Sequence, residues 1–429
     1  MKYFSSLLSS SLGNVLEWYD FGLFAIFSTL FGKLFFPSDD PQTSIIATVS
    51  IFAIGFLCRP IGALIFGYLG DKTGRAKTLR LSILMITLPT LFIGLLPTYQ
   101  QIGIWAPILL MLTRIWQGIS IGGEYSGNII YLAENAPVKY RATFTALASS
   151  GANLGILLAA LVGAFVSYYF TNEMLADWGW RLPYLISGLF SLFIYKIRLH
   201  MQESRVFVIL KRQHKIVSNP ISFVFQHNIP QIMRTLGLVC MGSTFYYFCF
   251  IYLPVFFNAN HYLSIHQTTV SISILIAVMM VIAPLAGFIS DHIGRKRMLV
   301  FNALFITLGI IPGLYLAITY HHLLLPMLSL FAIASALEQG VTSAAVVENF
   351  PTPARYTGVS LGYNLGNGIL GGTVPLVCEW IAFKTQLGLA PAVYIATCAL
   401  ITLLTVIFYI HGKKEPSNDL NRIDKGIRH

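Results

Sequence analysis

Long apolar runs alternate with short polar connections along the whole chain. A run of about 20 apolar residues in a helix rising 1.5 Å per residue spans a hydrocarbon core ~30 Å thick. Such runs predict helices over 11–36, 44–69, 79–97, 103–132, 144–170 and 181–199, and again over 231–257, 268–289, 298–319, 323–349, 357–382 and 388–411. The expected fold is therefore all-α and integral to a membrane, with about 12 transmembrane helices. Six spans form an N-terminal bundle over 1–199 and six form a C-terminal bundle over 231–411. A linker over 200–230 separates them, and a tail occupies 412–429. The linker is the longest segment that does not span, and it is too short for a folded domain.

The loops orient the chain. Lys72, Arg75, Lys77, Arg80, Lys139, Arg141, Arg295, Lys296, Arg297 and Arg355 lie in alternate connections. The end of the sixth span and the linker add Lys196, Arg198, Arg205, Lys211, Arg212 and Lys215, and the tail adds Lys413, Lys414, Arg422, Lys425 and Arg428. Connections of the other parity, such as 37–42 with Asp39 and Asp40, are almost free of Lys and Arg. The bias toward basic cytoplasmic loops places both termini and the linker inside. It also accounts for the net charge of +11 without nucleic acid, which would need the charge gathered on one face.

Composition agrees with a bilayer as the main solvent. Of 429 residues, 55% are hydrophobic and 10% charged, with mean hydropathy +0.70, where soluble chains carry about 25% charge. The five cysteines all fall in apolar runs, without metal-ligand spacing, and read as helix-packing thiols. The N-terminus runs into Glu17 and Asp20 without a cleavage site and reads as an uncleaved first helix.

One motif occurs twice. Gly67 to Leu79 reads GYLGDKTGRAKTL and Gly287 to Leu299 reads GFISDHIGRKRML, each between the second and third spans of its half and about 220 residues apart. Gly74 and Gly294 suit a tight turn. Asp71 and Asp291 can accept charge-assisted hydrogen bonds from a basic loop residue or cap a neighbouring helix N-terminus. This duplication resembles the signature loop of the major facilitator superfamily, whose two halves are related by an axis along the membrane normal. The resemblance implies that the loops, with Gly67, Asp71, Gly74, Arg75, Gly287, Asp291, Gly294 and Arg295, form a cytoplasmic latch that gates access.

Further stretches resemble one branch, the metabolite:proton symporters that include bacterial proline/betaine, 2-oxoglutarate, citrate and shikimate permeases. They are GNVLEWYDFGLF (Gly13 to Phe24), RIWQGISIGGEYSG (Arg114 to Gly127), AENAPVKYRATF (Ala133 to Phe144), WGWRLPYLISG (Trp178 to Gly188) and the segment from Glu348 to Leu376. The resemblance implies symport into the cell, across the bacterial inner membrane, by alternating access. The 413–429 segment shows no heptads, so gating by a coiled-coil tail, found in some osmosensing relatives, is not expected.

Ionisable groups inside spans are costly and mark pathways. Glu17 and Asp20, three apart on one helical face, Arg59, Arg114 and Glu124 fall within first-half spans, and Glu338 within the tenth. Glu17, Asp20 or Glu124 is expected to take up the coupling proton, with Arg59 and Arg114 as switching partners or grips for a substrate carboxylate. Fixed ion pairs that orient helices are the alternative. Tyr246, Tyr247, Tyr363, Asn364 and Asn367 are candidates for the other cavity wall, where tyrosine faces attract a quaternary ammonium.

No nucleotide-binding Gly-x-x-x-x-Gly-Lys-Ser/Thr loop is present, and Gly118 to Gly122, though it matches Gly-x-Ser-x-Gly, lies inside a predicted span rather than in a strand-turn-helix. The expected protein is not an enzyme and needs no cofactor or metal, only a proton gradient. Its partners are a small solute, protons and the lipid bilayer, and the working unit is a monomer. The rough balance of carboxylates and arginines favours a zwitterion such as proline or betaine. A carboxylate substrate and proton-linked drug efflux remain the alternatives.

Overall fold

The computed structural model describes residues 2–38 and 40–410. Asp39 and the tail with Lys413, Lys414, Arg422, Lys425 and Arg428 lie outside the described residues. Among those described, nine helices are long and apolar enough to cross a bilayer, and the pair Ser9–Ile26 and Ser28–Phe35, bent by 66°, makes a tenth span. Two more helical segments complete the twelve. Trp105–Asn135 carries Arg114, Glu124 and Glu134, while Arg355–Thr385 is rich in glycine and polar groups, so both read as less apolar than the others.

The spans follow the hydropathy pattern in order. The second comprises Pro41–Leu57 and Arg59–Thr73, the third Arg75–Leu95, the fourth Trp105–Asn135, the fifth Arg141–Tyr169 and the sixth Arg181–Leu199. The seventh runs Ile229–Tyr247, Phe248–Tyr252 and Leu253–Ala259, the eighth Ile265–Ile293, the ninth Arg295–Thr319 and the tenth Leu324–Glu348. The eleventh runs Arg355–Leu365, Gly366–Gly371 and Val374–Thr385, and the twelfth is Ala390–Tyr409. Short helices Arg205–Arg212 and Pro220–His227 occupy the linker.

Four interruptions have local causes that a hydropathy average does not see. The first span bends at Phe27, beyond which Phe31 and Phe35 pack edge-on against the fully buried Trp180 at 5.2 and 5.8 Å. The second breaks at Cys58 because Pro60 has no N–H for the carbonyl of Phe56. The seventh and eleventh each contain a π-helical turn, Phe248–Tyr252 and Gly366–Gly371, and π-bulges concentrate where a helix lines a functional cavity.

The core is apolar, but so is much of the outer surface, and several charges lie inside. Leu161, Phe165, Leu376, Trp380, Phe383 and Phe408 are exposed, as a lipid-facing surface requires, whereas Glu17, Asp20, Arg59, Arg114, Glu124 and Arg198 are buried. The two halves meet chiefly where the fifth span packs on the eighth and the second on the eleventh. That interface holds the candidate site.

Candidate functional site

A cavity of about 70 Å³ opens between the halves. The first, fourth and fifth spans supply Trp18, Tyr125, Ser149 and Asn153. The seventh, tenth and eleventh supply Tyr246, Tyr247, Glu338, Gln339, Tyr363 and Asn367. Tyr125 stacks on Tyr363 across the interface, with ring centroids 4.8 Å apart and planes inclined by 14°. The Tyr125 hydroxyl lies 3.0 Å from Ser149 Oγ and 3.3 Å from Ser343 Oγ, which fixes the ring. Asn153 Nδ2 donates to Gln339 Oε1 at 3.0 Å, a second bridge between halves.

Four of the five residues expected on the second-half wall, Tyr246, Tyr247, Tyr363 and Asn367, line this cavity. Asn364 does not. Its Nδ2 donates to Gly122 O at 2.9 Å, Ser126 Oγ at 3.1 Å and Ser360 O at 2.9 Å, so it is a strut between the eleventh and fourth spans.

The first-half charges divide into two clusters rather than one network, and neither lines the cavity. In one, Arg198 Nη2 and Nη1 donate to Glu124 Oε1 at 2.5 Å and Oε2 at 2.9 Å, while its remaining N–H groups reach Ser9 O, Ser10 O and Leu79 O. All five guanidinium donors are thereby used. Ser82 Oγ adds a bond of 2.5 Å to Glu124 Oε2. Glu124 is thus held by Arg198, not by Arg114.

Beside this pair lie Glu17 and Arg59, and here satisfaction fails. Neither carboxylate oxygen of Glu17 has a hydrogen-bond partner, nor do Nε and Nη2 of Arg59, although the residues are 1% and 2% exposed. The Arg59 guanidinium lies over the rings of Phe56 at 4.2 Å, Phe21 at 5.4 Å and Trp18 at 5.7 Å. Phe56 in turn packs edge-on at 6.1 Å against Tyr247, whose buried hydroxyl is also unpartnered. Trp18, under the Arg59 guanidinium, and Tyr247, against Phe56, both also line the cavity. A buried polar group without a partner costs roughly 1–3 kcal/mol, more if charged, so Glu17 and Arg59 are poised to take up partners.

The second cluster centres on Asp20, one turn further along the first span. Thr90 Oγ1 donates to Asp20 Oδ2 at 2.7 Å and Gln117 Nε2 donates to the same oxygen, while Oδ1 is unpartnered. Arg114 reaches Asp20 only through Gln117, whose Oε1 accepts from Arg114 Nη1 at 2.7 Å, and its guanidinium lies 3.7 Å from the centre of the Phe24 ring.

At the basic, cytoplasmic face the repeated motif forms two latches. Asp71 accepts from the backbone N–H groups of Tyr356 at 3.1 Å and Thr357 at 2.9 Å, capping the eleventh span. Asp291 accepts from Ala142 at 3.0 Å and Thr143 at 2.9 Å, capping the fifth. Each aspartate thus crosses to the other half, in one of the two ways the motif suggests, and each also pairs within its motif, with Arg75 at 3.4 Å and Arg295 at 2.8 Å. A Cβ at Gly67 would lie 2.7 Å from Thr357 Cα, and one at Gly287 2.7 Å from Ala142 O, so both positions require glycine for this approach. Gly74 and Gly294 turn with φ of 112° and 100°.

Sequence reasoning missed the acids that complete these latches. Glu134 accepts from Arg75 at 3.0 Å and from Arg355 of the other half at 3.1 Å. Glu348 accepts from Arg295 at 3.3 Å and from Arg141 of the other half at 3.2 Å. The signal was present as a second repeat, Glu-Asn-x-Pro-x-x-x-Arg, at Glu134 to Arg141 and Glu348 to Arg355. The linker adds an asymmetric element: Glu203 Oε1 accepts from Arg75 N at 2.8 Å and Ala76 N at 3.0 Å, and Ser204 Oγ donates to Glu134 at 2.5 Å. Among the described residues no group of three or more His, Cys, Asp or Glu side chains is arranged to hold a metal.

Two six-helix halves, latched at one face around a central cavity, are an alternating-access architecture. A family profile described as Major Facilitator Superfamily matches residues 3–375. The chain belongs to the major facilitator superfamily. This facilitator is 32% identical over 427 residues to a glycine betaine/proline/ectoine/pipecolic acid transporter, OusA, of Dickeya dadantii, covering 96% of its own length and 84% of the relative's. It is 32% identical over 433 residues to the proline/betaine transporter of Salmonella typhimurium, covering 97% and 84%, and 31% over 423 residues to that of Escherichia coli K12, covering 94% and 83%. Among solved structures it resembles the proton:xylose symporter XylE bound to 6-bromo-6-deoxy-D-glucose, with TM-score 0.79 at 16% identity over 98% of both chains. The inward open conformation of XylE from E. coli gives TM-score 0.66 at 18% identity over 99% of both. These structural likenesses establish the fold. The facilitator is a multi-pass membrane transporter and not an enzyme.

Proposed function

We propose that this facilitator takes up a small zwitterionic osmolyte of the proline or glycine betaine type, together with a proton, across the bacterial plasma membrane. The cavity between the halves carries this reading. It is lined mainly by tyrosines, amides and hydroxyls, with Glu338 as its one formally charged side chain. A dicarboxylate would require cationic groups on that wall, and none lines it. A drug-efflux cavity would be more apolar. The names of the relatives, transporters of proline and betaine, point the same way.

Coupling rests on the clusters behind the cavity. Glu17, with both oxygens unpartnered, is the primary proton carrier, and Arg59, with Nε and Nη2 also unpartnered, is the cation that responds to its charge. Asp20, with one free oxygen and Arg114 one side chain away, is the second ionisable relay. Glu124 is the least suited, because Arg198 engages it fully and loss of a buried pair costs roughly 3–5 kcal/mol. One chain encloses the whole cavity, so a monomer suffices. The proton gradient alone drives accumulation and no cofactor takes part. Its electrical part is worth about 2.3 kcal/mol per charge per 100 mV, roughly a 50-fold concentration ratio.

Proteoliposome uptake of radiolabelled betaine, proline, 2-oxoglutarate and citrate, with and without an inward proton gradient, tests this. Gradient-driven accumulation of betaine or proline alone is expected. Accumulation of a dicarboxylate alone, or outward flux of a hydrophobic cation driven by proton entry, would replace the zwitterion reading.

A further inference from the structure

The one charge in the cavity is negative, and this has a consequence for ligand chemistry beyond the osmolyte reading. Glu338 sits in the tenth span against Gly242 of the seventh, where a Cβ would overlap the carboxyl carbon and both oxygens. A side chain there would displace the carboxylate from its present place at the cavity wall. Around it stand Tyr246, Tyr247 and the stacked pair Tyr125 and Tyr363, with Tyr125 held in orientation through Ser149 and Ser343. No Lys or Arg lines the cavity, and the Arg59 guanidinium lies behind Phe56 and Trp18.

A zwitterion in this site meets its two ends unequally. Its cationic head finds the Glu338 carboxyl group and several electron-rich ring faces, the combination that recognises quaternary ammonium groups. Its carboxylate finds only neutral amides and hydroxyls. The cationic end is therefore the anchor and the carboxylate is dispensable. We infer that Glu338 and the surrounding tyrosines form an onium subsite, and that the protein binds organic cations carrying a quaternary ammonium but no carboxylate, choline and tetramethylammonium being the simplest. The inference deepens the zwitterion reading and rests on the same cavity.

Binding to the purified full-length protein tests it without requiring transport. Thermal-shift titrations with choline chloride, tetramethylammonium chloride, betaine and sodium acetate, against a sodium chloride control, are made on wild type, Glu338→Gln and Gly242→Ala. Wild type is expected to bind choline within tenfold of betaine and to show no response to acetate. Glu338→Gln, which keeps the shape and removes the charge, is expected to lose at least tenfold in choline affinity, and Gly242→Ala to lose affinity by crowding the carboxylate. Absence of choline binding by wild type, where no variant has to fold, overturns the subsite, as does undiminished choline binding by Glu338→Gln. Choline binding without betaine binding would retain the subsite and refute the osmolyte reading. Betaine binding without choline binding would do the reverse.

Discussion

Arg198 and Arg59 are buried to the same degree, yet one is saturated with acceptors and the other is not, and this difference separates structure from coupling. Arg198→Met leaves Glu124 buried without its cation and should destabilise the protein by about 3–5 kcal/mol, while the double variant with Glu124→Gln should recover part of that loss. Thermal unfolding in detergent measures both. If Arg198→Met is as stable as wild type, the pair is not the fixed element described. Glu17→Gln should fold normally, abolish gradient-driven accumulation and retain exchange of labelled for unlabelled solute, because the cavity is untouched. Loss of exchange as well would place Glu17 in binding rather than in coupling. That Glu17, Asp20, Arg114 and Glu124 lie within spans was legible in the sequence, since each interrupts an apolar run. Their partners were not. Arg198 lies at the end of the sixth span, where the charge bias groups it with the basic linker, and only packing shows it turned inward to Glu124.

At the level of elements, each latch is a helix N-terminus capped by an aspartate from the opposite half. A hydrogen bond to a charged acceptor contributes roughly 1.5–3 kcal/mol. Asp71→Asn is therefore expected to speed amide exchange at Tyr356 and Thr357 about tenfold or more, with Ala142 and Thr143 much less affected, and Asp291→Asn to do the reverse. Equal effects at both latches would mean that they open as one unit. Gly74→Ala forces a side chain into the left-handed region and against Glu203, and should cost at least ~1–2 kcal/mol in thermal unfolding. Hydropathy placed the twelve helices in order and within a few residues, except that the first begins at Lys2, well before the expected residue 11. It did not show the bend at Phe27, the break before Arg59 or the two π-helical turns. The break has its cause in one proline and the bend lies beside packed rings, and a hydropathy window averages such single-residue features away.

For the whole molecule, the described latches all join the halves at the cytoplasmic face, so the structure is closed on that side. The cavity of about 70 Å³ is roughly half the ~150 Å³ that admits benzene, so the halves must part to admit a solute. The duplicated motif made the two-fold plan readable from the chain. The cavity's charge was not readable, because it depends on which side chains from six spans meet and on Arg59 lying against Phe56 and Trp18 and not on the cavity wall. The central claim is that a zwitterion and a proton move together, and luminal pH tests it most directly. Proteoliposomes loaded with a pH-sensitive dye, at equal pH inside and out and with membrane potential clamped at zero, receive betaine or proline from outside. The account predicts acidification of the lumen with either solute, none with 2-oxoglutarate, and none with betaine in Glu17→Gln. Entry of labelled betaine without any change in luminal pH would contradict it.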